Sequence, residues 1–164
     1  METVLSPLAA TTIAELNKRH LTIAAAESLT AGLFCASLAA VPGASAVLRG
    51  GLVVYATDLK HRLAGVSSVT LQRVGPVAEE TAAELAEGAR RSCQADIGVG
   101  LTGVAGPATQ GGHPVGTVFL GVALPDGSVT VRECQFRGSR QDIREQSVEN
   151  ALAMVCELIA SSEY

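Results

Sequence analysis

Two polar side chains of this chain could form a nucleophile and base pair, Ser28 and Lys60. Ser28 stands where a short apolar run changes into a predicted helix, and Lys60 is one of only two lysines among twelve basic residues. A buried lysine can lose its proton, whereas arginine stays protonated, so Lys60 could act as a general base towards the Ser28 hydroxyl. The structural alternative is that Ser28 only caps a helix and Lys60 is a solvated charge.

Tyr55 precedes Lys60 by five residues, at the end of a predicted strand. Its hydroxyl could relay a proton between Ser28 and Lys60. In a mostly parallel sheet, the strand ends that lead into helices gather at one edge, so we expect the three side chains to meet there. The alternative interpretation is a ring at the edge of the core beside an unrelated charge.

A glycine-rich turn matches a well-known fingerprint by its letters alone. The segment 98–103 reads GVGLTG, the spacing of a dinucleotide-binding loop. The fingerprint needs its glycines in the turn that opens a helix, yet Gly98 and Gly100 fall inside a predicted strand. We therefore expect small residues that let backbone and ligand approach closely, with Thr102 offering a hydroxyl and Gly103 an N–H.

Three arginines, Arg137, Arg140 and Arg144, cluster near the start of the last predicted helix. The second and third are four residues apart and so share a helix face. Clustered guanidinium groups suit an anion such as a phosphate. The alternative is a solvated face whose charges balance Asp142 and Glu145.

The predicted elements alternate between helices and strands and end in a hairpin. Helices are expected over 7–19, 30–40, 78–93 and 140–159, with a short helix capped by Thr57 or Asp58, and strands over 21–26, 47–55, 97–101, 116–123 and 129–136. Ser6 is the expected cap of the first helix, and the pair Gly50-Gly51 suggests a bulge. This order predicts an α/β fold, a three-layer α/β/α sandwich with a mixed, mostly parallel sheet, in a single domain over 1–164.

Composition argues against several function classes. The net charge is −4 and the chain has no Trp and no basic run, so nucleic acid is not an expected partner. No apolar segment has membrane-spanning length, and the N-terminus lacks a basic leader, so no membrane partner is expected. The four cysteines and three histidines are dispersed, which predicts a cytoplasmic protein with reduced thiols and no metal site.

Taken together, the motifs resemble those of the CinA C-terminal domain family, which includes stand-alone nicotinamide-nucleotide amidohydrolases. The resemblance extends over about residues 21–158, with blocks in the family's order. These blocks are 26–32 (AESLTAG), 41–45 (VPGAS), 51–60 (GLVVYATDLK), 102–107 (TGVAGP), 114–118 (PVGTV) and 140–144 (RQDIR).

The resemblance implies deamidation of nicotinamide mononucleotide to nicotinate mononucleotide and ammonia, without metal or cofactor. It implies that Ser28 is the nucleophile, Lys60 its base and Tyr55 a relay or orienting hydroxyl, with amide N–H groups of the Ser28 turn holding the oxyanion. The nucleotide substrate is expected to contact Thr30, Gly32, Thr102, Gly103, Arg140 and Arg144. A homodimer or higher homo-oligomer is also expected from the resemblance.

The chain departs from the family pattern at three places, none of which includes the three expected catalytic residues. Ala31 stands where many relatives have glycine, His113 where lysine is common, and the segment 56–58 replaces a Ser-Asn pair. Two other functions stay open at this point. One is a non-catalytic nucleotide-binding or regulatory module, and the other is a hydrolase acting on a different small amide.

Overall fold

A computed structural model of the protein describes residues 5–164. This part of the chain forms five strands and six α-helices. In chain order they are α1 (Pro7–Lys18), β1 (Ile23–Glu27), α2 (Leu33–Ala39), β2 (Leu48–Val53), α3 (Thr57–Arg62), α4 (Ser68–Val74), α5 (Glu79–Ser92), β3 (Ile97–Gly103), β4 (Thr117–Ala123), β5 (Val129–Gln135) and α6 (Arg140–Ala160).

The strands form one mixed sheet in the order β2-β1-β3-β4-β5. β1 pairs in parallel with β2 and β3, whereas β4 pairs antiparallel with both β3 and β5. Four of the five strands therefore point the same way, and only β4 is reversed. The carboxyl ends of β1, β2 and β3 lie along one edge, and the segments that follow them carry Ser28, Tyr55 and the turn after Gly103.

Helices cover both faces of the sheet, which confirms the predicted α/β/α sandwich. On one face, α1, α2 and α6 pack against a core of aliphatic side chains that includes Ile23, Val99 and Leu120. On the other face, α5 packs against the small side chains Ala24 and Ala26 of β1. Since aromatic residues are only 3% of the chain, the core is built almost wholly from aliphatic groups.

The glycines of the misleading fingerprint are packing residues for α5. A Cβ built on Gly100 would lie 2.8 Å from the Ala86 nitrogen and would also press on the Ala82 carbonyl, and a Cβ on Gly98 would lie 2.9 Å from the Arg90 nitrogen. Glycine at these positions lets the helix backbone lie directly on the sheet. The expectation that small residues permit close approach is thus correct for a helix at Gly98 and Gly100, and neither glycine lines the cavity described below.

Several local predictions are confirmed. The Ser6 hydroxyl accepts a hydrogen bond from the Ala9 N–H and caps α1, and the chain reverses at 125–127 between β4 and β5. The β1–β2 register skips Arg49, next to the predicted bulge at Gly50-Gly51.

Other local predictions are wrong. α2 begins at Leu33 rather than residue 30, because the chain first makes a tight turn. α3 begins after Ala56, which has no capping side chain, so neither Thr57 nor Asp58 is the cap. Helix α4 was not predicted, because its short sequence is rich in β-branched residues that favour strands.

No helix within residues 5–164 has the length and apolar character needed to cross a membrane. Over the same range, no group of three or more His, Cys, Asp or Glu side chains is arranged to hold a metal ion.

Candidate active site

The structure brings Ser28 and Lys60 into direct contact, although they are 32 residues apart in sequence. The Nζ of Lys60 lies 2.9 Å from the Oγ of Ser28. Ser28 immediately follows β1, and Lys60 lies in α3, which follows the neighbouring parallel strand β2. Parallel pairing of β1 with β2 places both segments at the same sheet edge, so the contact follows directly from the topology.

Lys60 is an unusual lysine because its side chain is buried, with only 1% of its surface exposed. Within residues 5–164 no carboxylate contacts its ammonium, which donates instead to the carbonyls of Val54, at 2.8 Å, and Tyr55, at 3.2 Å. Burial without a counter-charge disfavours the charged form and lowers the pKa of Lys60 to about 8. An appreciable fraction of the amine is therefore neutral near physiological pH.

The three partners of Lys60 also fix the direction of its lone pair. A neutral amine has two hydrogens and one lone pair, and two of the three partners are carbonyls that can only accept. When the two hydrogens point at Val54 and Tyr55, the lone pair faces the Ser28 hydroxyl. The arrangement can thus take the proton of Ser28, which is what a nucleophilic serine requires.

Ser28 is not a helix cap, so the structural alternative for this residue is wrong. The residue at the N-cap of α2 is Gly32, and the helix N–H groups of Phe34 and Cys35 donate to the buried Glu27 carboxylate at 2.8 and 3.1 Å. The positive end of α2 is therefore occupied by Glu27 and is closed to an oxyanion. In contrast, the N–H groups of Leu29 and Thr30 donate no hydrogen bond within residues 5–164.

Tyr55 lies beside the pair but does not connect its members. Its ring is 55% exposed, and its hydroxyl accepts a hydrogen bond from the Arg140 guanidinium at 2.6 Å. No hydrogen bond joins that hydroxyl to Ser28 or Lys60 among the described residues. Because the Ser28 hydroxyl and the Lys60 amine are in direct contact, a proton can pass between them without the predicted relay through Tyr55.

A cavity of about 300 Å³ opens above Ser28 and Lys60. The turn after β3 and the loop that follows it line the cavity, together with Tyr55 and Arg140. Among the described residues its ionisable lining groups are Tyr55, Lys60 and Arg140, so this lining carries cationic groups and no carboxylate. Such a cavity favours an anionic or polar neutral ligand.

The sequence-predicted binding residues divide into two groups. Thr102, Gly103 and Arg140 line the cavity, and the Thr102 hydroxyl donates to the Pro76 carbonyl at 2.6 Å, which leaves it only as an acceptor towards a ligand. The others do not reach the cavity.

Thr30, Gly32 and Arg144 lie outside the cavity lining, so their prediction as ligand contacts is not supported. Thr30 is fully buried, and Gly32 has a φ of +98° at the start of α2. Arg144 donates to the carbonyls of Leu29 and Thr30. Arg137 is also absent from the lining, which leaves Arg140 as the one member of the arginine cluster that reaches the cavity.

Sequence reasoning missed three features of the site. These are the Glu27 carboxylate that caps α2, the bond between Arg140 and Tyr55, and the loop 106–110 in the cavity wall. A carboxylate seven residues before a helix N–H has no periodic signal, and neither does a contact between residues 85 apart. Only the glycines and proline of the loop marked it as irregular.

The turn after Ser28 contains a strained alanine, and this leads to a stability prediction. Ala31 has a φ of +47°, which costs a non-glycine residue roughly 1–2 kcal/mol. We expect Ala31→Gly to raise the free energy of unfolding by about 0.5–1 kcal/mol, since relief of strain exceeds the added flexibility of the unfolded chain. Urea denaturation measures the change.

A matched control lies in the next helix. Ala36 is also an exposed alanine but has helical backbone within α2, so Ala36→Gly is expected to lower the free energy of unfolding by about 1 kcal/mol. Equal losses in both variants would contradict the assignment of strain to Ala31.

Comparison with protein families gives a match over nearly the whole chain. The family model described as CinA C-terminal domain matches residues 5–159. A protein of Lactiplantibacillus plantarum, named as competence-damage inducible, is 44% identical over 148 residues, and one of Streptococcus pneumoniae with the same name is 44% identical over 154 residues. These alignments cover 90% and 94% of this chain but only 35% and 37% of the relatives, so the chain spans little more than a third of their length.

Solved structures show the same fold at full coverage. The competence/damage inducible protein CihA of Agrobacterium tumefaciens aligns with a TM-score of 0.92 at 33% identity, covering 96% of this chain and 99% of that one. A competence-damaged protein (CinA) superfamily protein of Escherichia coli aligns with a TM-score of 0.90 at 28% identity, covering 94% of this chain and 90% of its own.

Proposed function

The chain belongs to the CinA C-terminal domain family, and from this premise we propose that it is an amidohydrolase that deamidates nicotinamide mononucleotide. The products are nicotinate mononucleotide and ammonia, formed without a metal or cofactor. Ser28 is the nucleophile and Lys60 is the base. We place the reaction in the cytoplasm, where the four free cysteines would stay reduced.

The observation that carries this proposal is the contact between Lys60 and Ser28. A buried amine 2.9 Å from a serine hydroxyl, with a lowered pKa and no carboxylate of the described part of the chain beside it, has little structural justification. Burying a lysine costs stability, and an apolar side chain would fill the same space at less cost. Perturbed groups of this kind in a cavity are typical of catalytic sites.

The reaction is an acyl transfer in two stages. Neutral Lys60 takes the Ser28 proton while the Oγ attacks the carboxamide carbon, which gives a tetrahedral oxyanion. The C–N bond then breaks, Lys60 returns the proton to the leaving nitrogen, and ammonia departs. Water attacks the resulting ester with Lys60 again as base, which releases the carboxylate and restores the Ser28 hydroxyl.

The turn after Ser28 supplies a donor for the oxyanion. The N–H group of Leu29, a residue that lines the cavity, follows the nucleophile directly and makes no other hydrogen bond within residues 5–164. Backbone donors that are free before the substrate arrives need no reorganisation when charge develops, and one such donor contributes roughly 10²- to 10³-fold in rate.

Arg140 is the group best suited to the phosphate of the nucleotide. It lines the cavity and is solvent-exposed, and it donates to the Gly106 carbonyl and the Tyr55 hydroxyl. These bonds hold the guanidinium against the Gly106 carbonyl and the Tyr55 hydroxyl. Tyr55 in this proposal orients Arg140 and borders the substrate, and Gly103 and Thr102 also line the cavity.

Ammonia release from nicotinamide mononucleotide tests the proposal. The assay compares metal-chelated wild-type protein with Ser28→Ala, and ligand binding is measured in parallel by calorimetry. We expect release by the wild type, none above background by Ser28→Ala, and similar affinity in both. A wild type that binds the nucleotide but releases no ammonia would refute the proposal and favour a binding or regulatory module. Release only from another compound in a panel of small amides would favour a different substrate.

The pKa of Lys60 predicts the pH dependence of the reaction. The base form of a lysine is the neutral one, so activity must rise with pH through the pKa of about 8 and level off above it. Between pH 7 and pH 9, kcat/KM is expected to increase about tenfold, which is the change in the neutral fraction. A profile that falls over this range would contradict Lys60 as the base.

A further inference from the structure

Arg144 contacts the turn that carries the nucleophile rather than the cavity. Its Nε donates to the Leu29 carbonyl at 2.9 Å, and a terminal nitrogen donates to the Thr30 carbonyl at 3.1 Å. Its other terminal nitrogen donates to the Gln141 side chain at 2.8 Å, one turn earlier in α6. One guanidinium from the last helix thus holds two consecutive carbonyls at the end of β1.

These contacts determine where the neighbouring N–H groups point. In a trans peptide the carbonyl and the N–H point in opposite directions. Because the Leu29 carbonyl faces Arg144, the Thr30 N–H of the same peptide faces away from it. The Ser28 carbonyl accepts from the Ala31 N–H, so the Leu29 N–H is likewise directed out of the turn. Within residues 5–164 neither of these N–H groups donates a hydrogen bond, and of the two residues Leu29 lines the cavity.

The turn needs an external restraint because its backbone is strained. Ala31 and Gly32 follow with φ values of +47° and +98°, two successive residues in the left-handed region. The Thr30 side chain adds no restraint by hydrogen bonding, since its buried Oγ1 has no partner within the described residues. Such conformations persist only where surrounding contacts hold them, and they cluster at functional sites.

We propose that Arg144 is a positioning residue that holds the Ser28 turn so that the Leu29 N–H group is presented to the oxyanion. This inference depends on the proposed serine chemistry but not on the identity of the substrate. It assigns Arg144 a contact with the protein backbone, whereas the sequence alone suggested a contact with the substrate phosphate. Arg140 and Arg144, although four residues apart on one helix, have different functions.

The test is covalent labelling of Ser28 by a small alkyl fluorophosphonate, followed by mass spectrometry. The Ser28 Oγ forms a bond to phosphorus, fluoride leaves, Lys60 takes the hydroxyl proton, and the phosphoryl oxygen occupies the oxyanion position. We expect Arg144→Gln to lower the labelling rate about 100-fold, as a displacement of about 1 Å can. Arg144→Lys should recover part of the rate, because a single ammonium can reach one carbonyl.

The pH midpoint of labelling should stay unchanged in both variants, because Lys60 is untouched. Arg132→Gln is the matched control, since it removes a bond from a different arginine to Glu157 of α6, at 2.9 Å and away from the cavity lining. Melting temperatures of the variants separate local from global effects. The inference is supported if labelling falls in folded Arg144→Gln and not in Arg132→Gln.

Three outcomes would overturn the inference. These are wild-type labelling in Arg144→Gln, a loss that merely follows its unfolding, and no labelling of Ser28 in the wild type. A higher KM for nicotinamide mononucleotide with unchanged labelling would show that Arg144 binds substrate instead. Labelling that depends on Arg144 in a protein that releases no ammonia from the nucleotide would leave this inference intact and remove only the substrate assignment.

Discussion

Replacing Lys60 with glutamine is expected to lower kcat for deamidation of nicotinamide mononucleotide by about 10³- to 10⁴-fold, the upper range for a general base. Glutamine can still donate to the Val54 or Tyr55 carbonyl, so the cavity should keep its shape, but it cannot accept a proton from Ser28. KM should change little, because Lys60 contacts the nucleophile. Steady-state ammonia release over a range of nucleotide concentrations separates the two constants.

Two companion variants make this result specific. Lys60→Arg keeps the positive charge without a titratable base and should be as inactive as Lys60→Gln. Lys18 is the only other lysine and is exposed in α1, so Lys18→Gln should retain wild-type activity. An active Lys60→Arg enzyme would mean that the site needs a cation, and the assignment of Lys60 as base would be abandoned.

The convergence of Ser28 and Lys60 could be predicted because it depends on the order of strands and helices, which the sequence pattern indicates at each element. Apolar runs at β1 and β2, each followed by polar and helical residues, predict parallel strands whose ends meet. Lys60 is then distinctive because every Lys or Arg position other than Lys18 and Lys60 is arginine. Neither step requires knowledge of a side-chain rotamer.

The conformation of the Ser28 turn could not be predicted in the same way. The residues Ser28-Leu29-Thr30 precede an apolar run, which is typical of an N-cap and the first turn of a helix. The sequence therefore predicts that the free N–H groups lie at the start of that helix. The buried Glu27 carboxylate instead occupies those helix N–H groups. A cap contributed from outside the helix, by a residue in the preceding strand, has no sequence spacing that distinguishes it from an ordinary core position.

The arginine cluster shows a second limit of sequence reasoning. Arg140 and Arg144 lie on one face of α6, which correctly predicts that both point towards the same side of the sheet. The helix runs past the site, however. Arg140 therefore contacts Tyr55 at the cavity, whereas Arg144, one turn later, contacts the Leu29 and Thr30 carbonyls. The spacing predicts that both arginines lie on one helix face, but not which neighbouring segment each side chain contacts.

The fingerprint-like glycines give the second large prediction. Gly100→Ala is expected to lower the free energy of unfolding by about 2–3 kcal/mol, because the added methyl group would overlap the α5 backbone at Ala82 and Ala86. The helix would have to move away from the sheet, which would loosen its contacts with β1 and β3 as well. Urea denaturation with an unchanged m-value would measure the loss.

Gly50→Ala is the matched control, since it also places a methyl group on a strand glycine. At Gly50 the nearest atom to an added Cβ is the Cys93 Sγ at 3.7 Å, an ordinary contact, so the free energy of unfolding should change by less than about 1 kcal/mol. If the glycines instead formed a dinucleotide site, Gly100→Ala would weaken nicotinamide dinucleotide binding and leave stability near that of Gly50→Ala. Helix packing and close approach of a ligand would both require glycine at position 100. Only helix packing predicts that the added methyl group lowers the free energy of unfolding when no ligand is present.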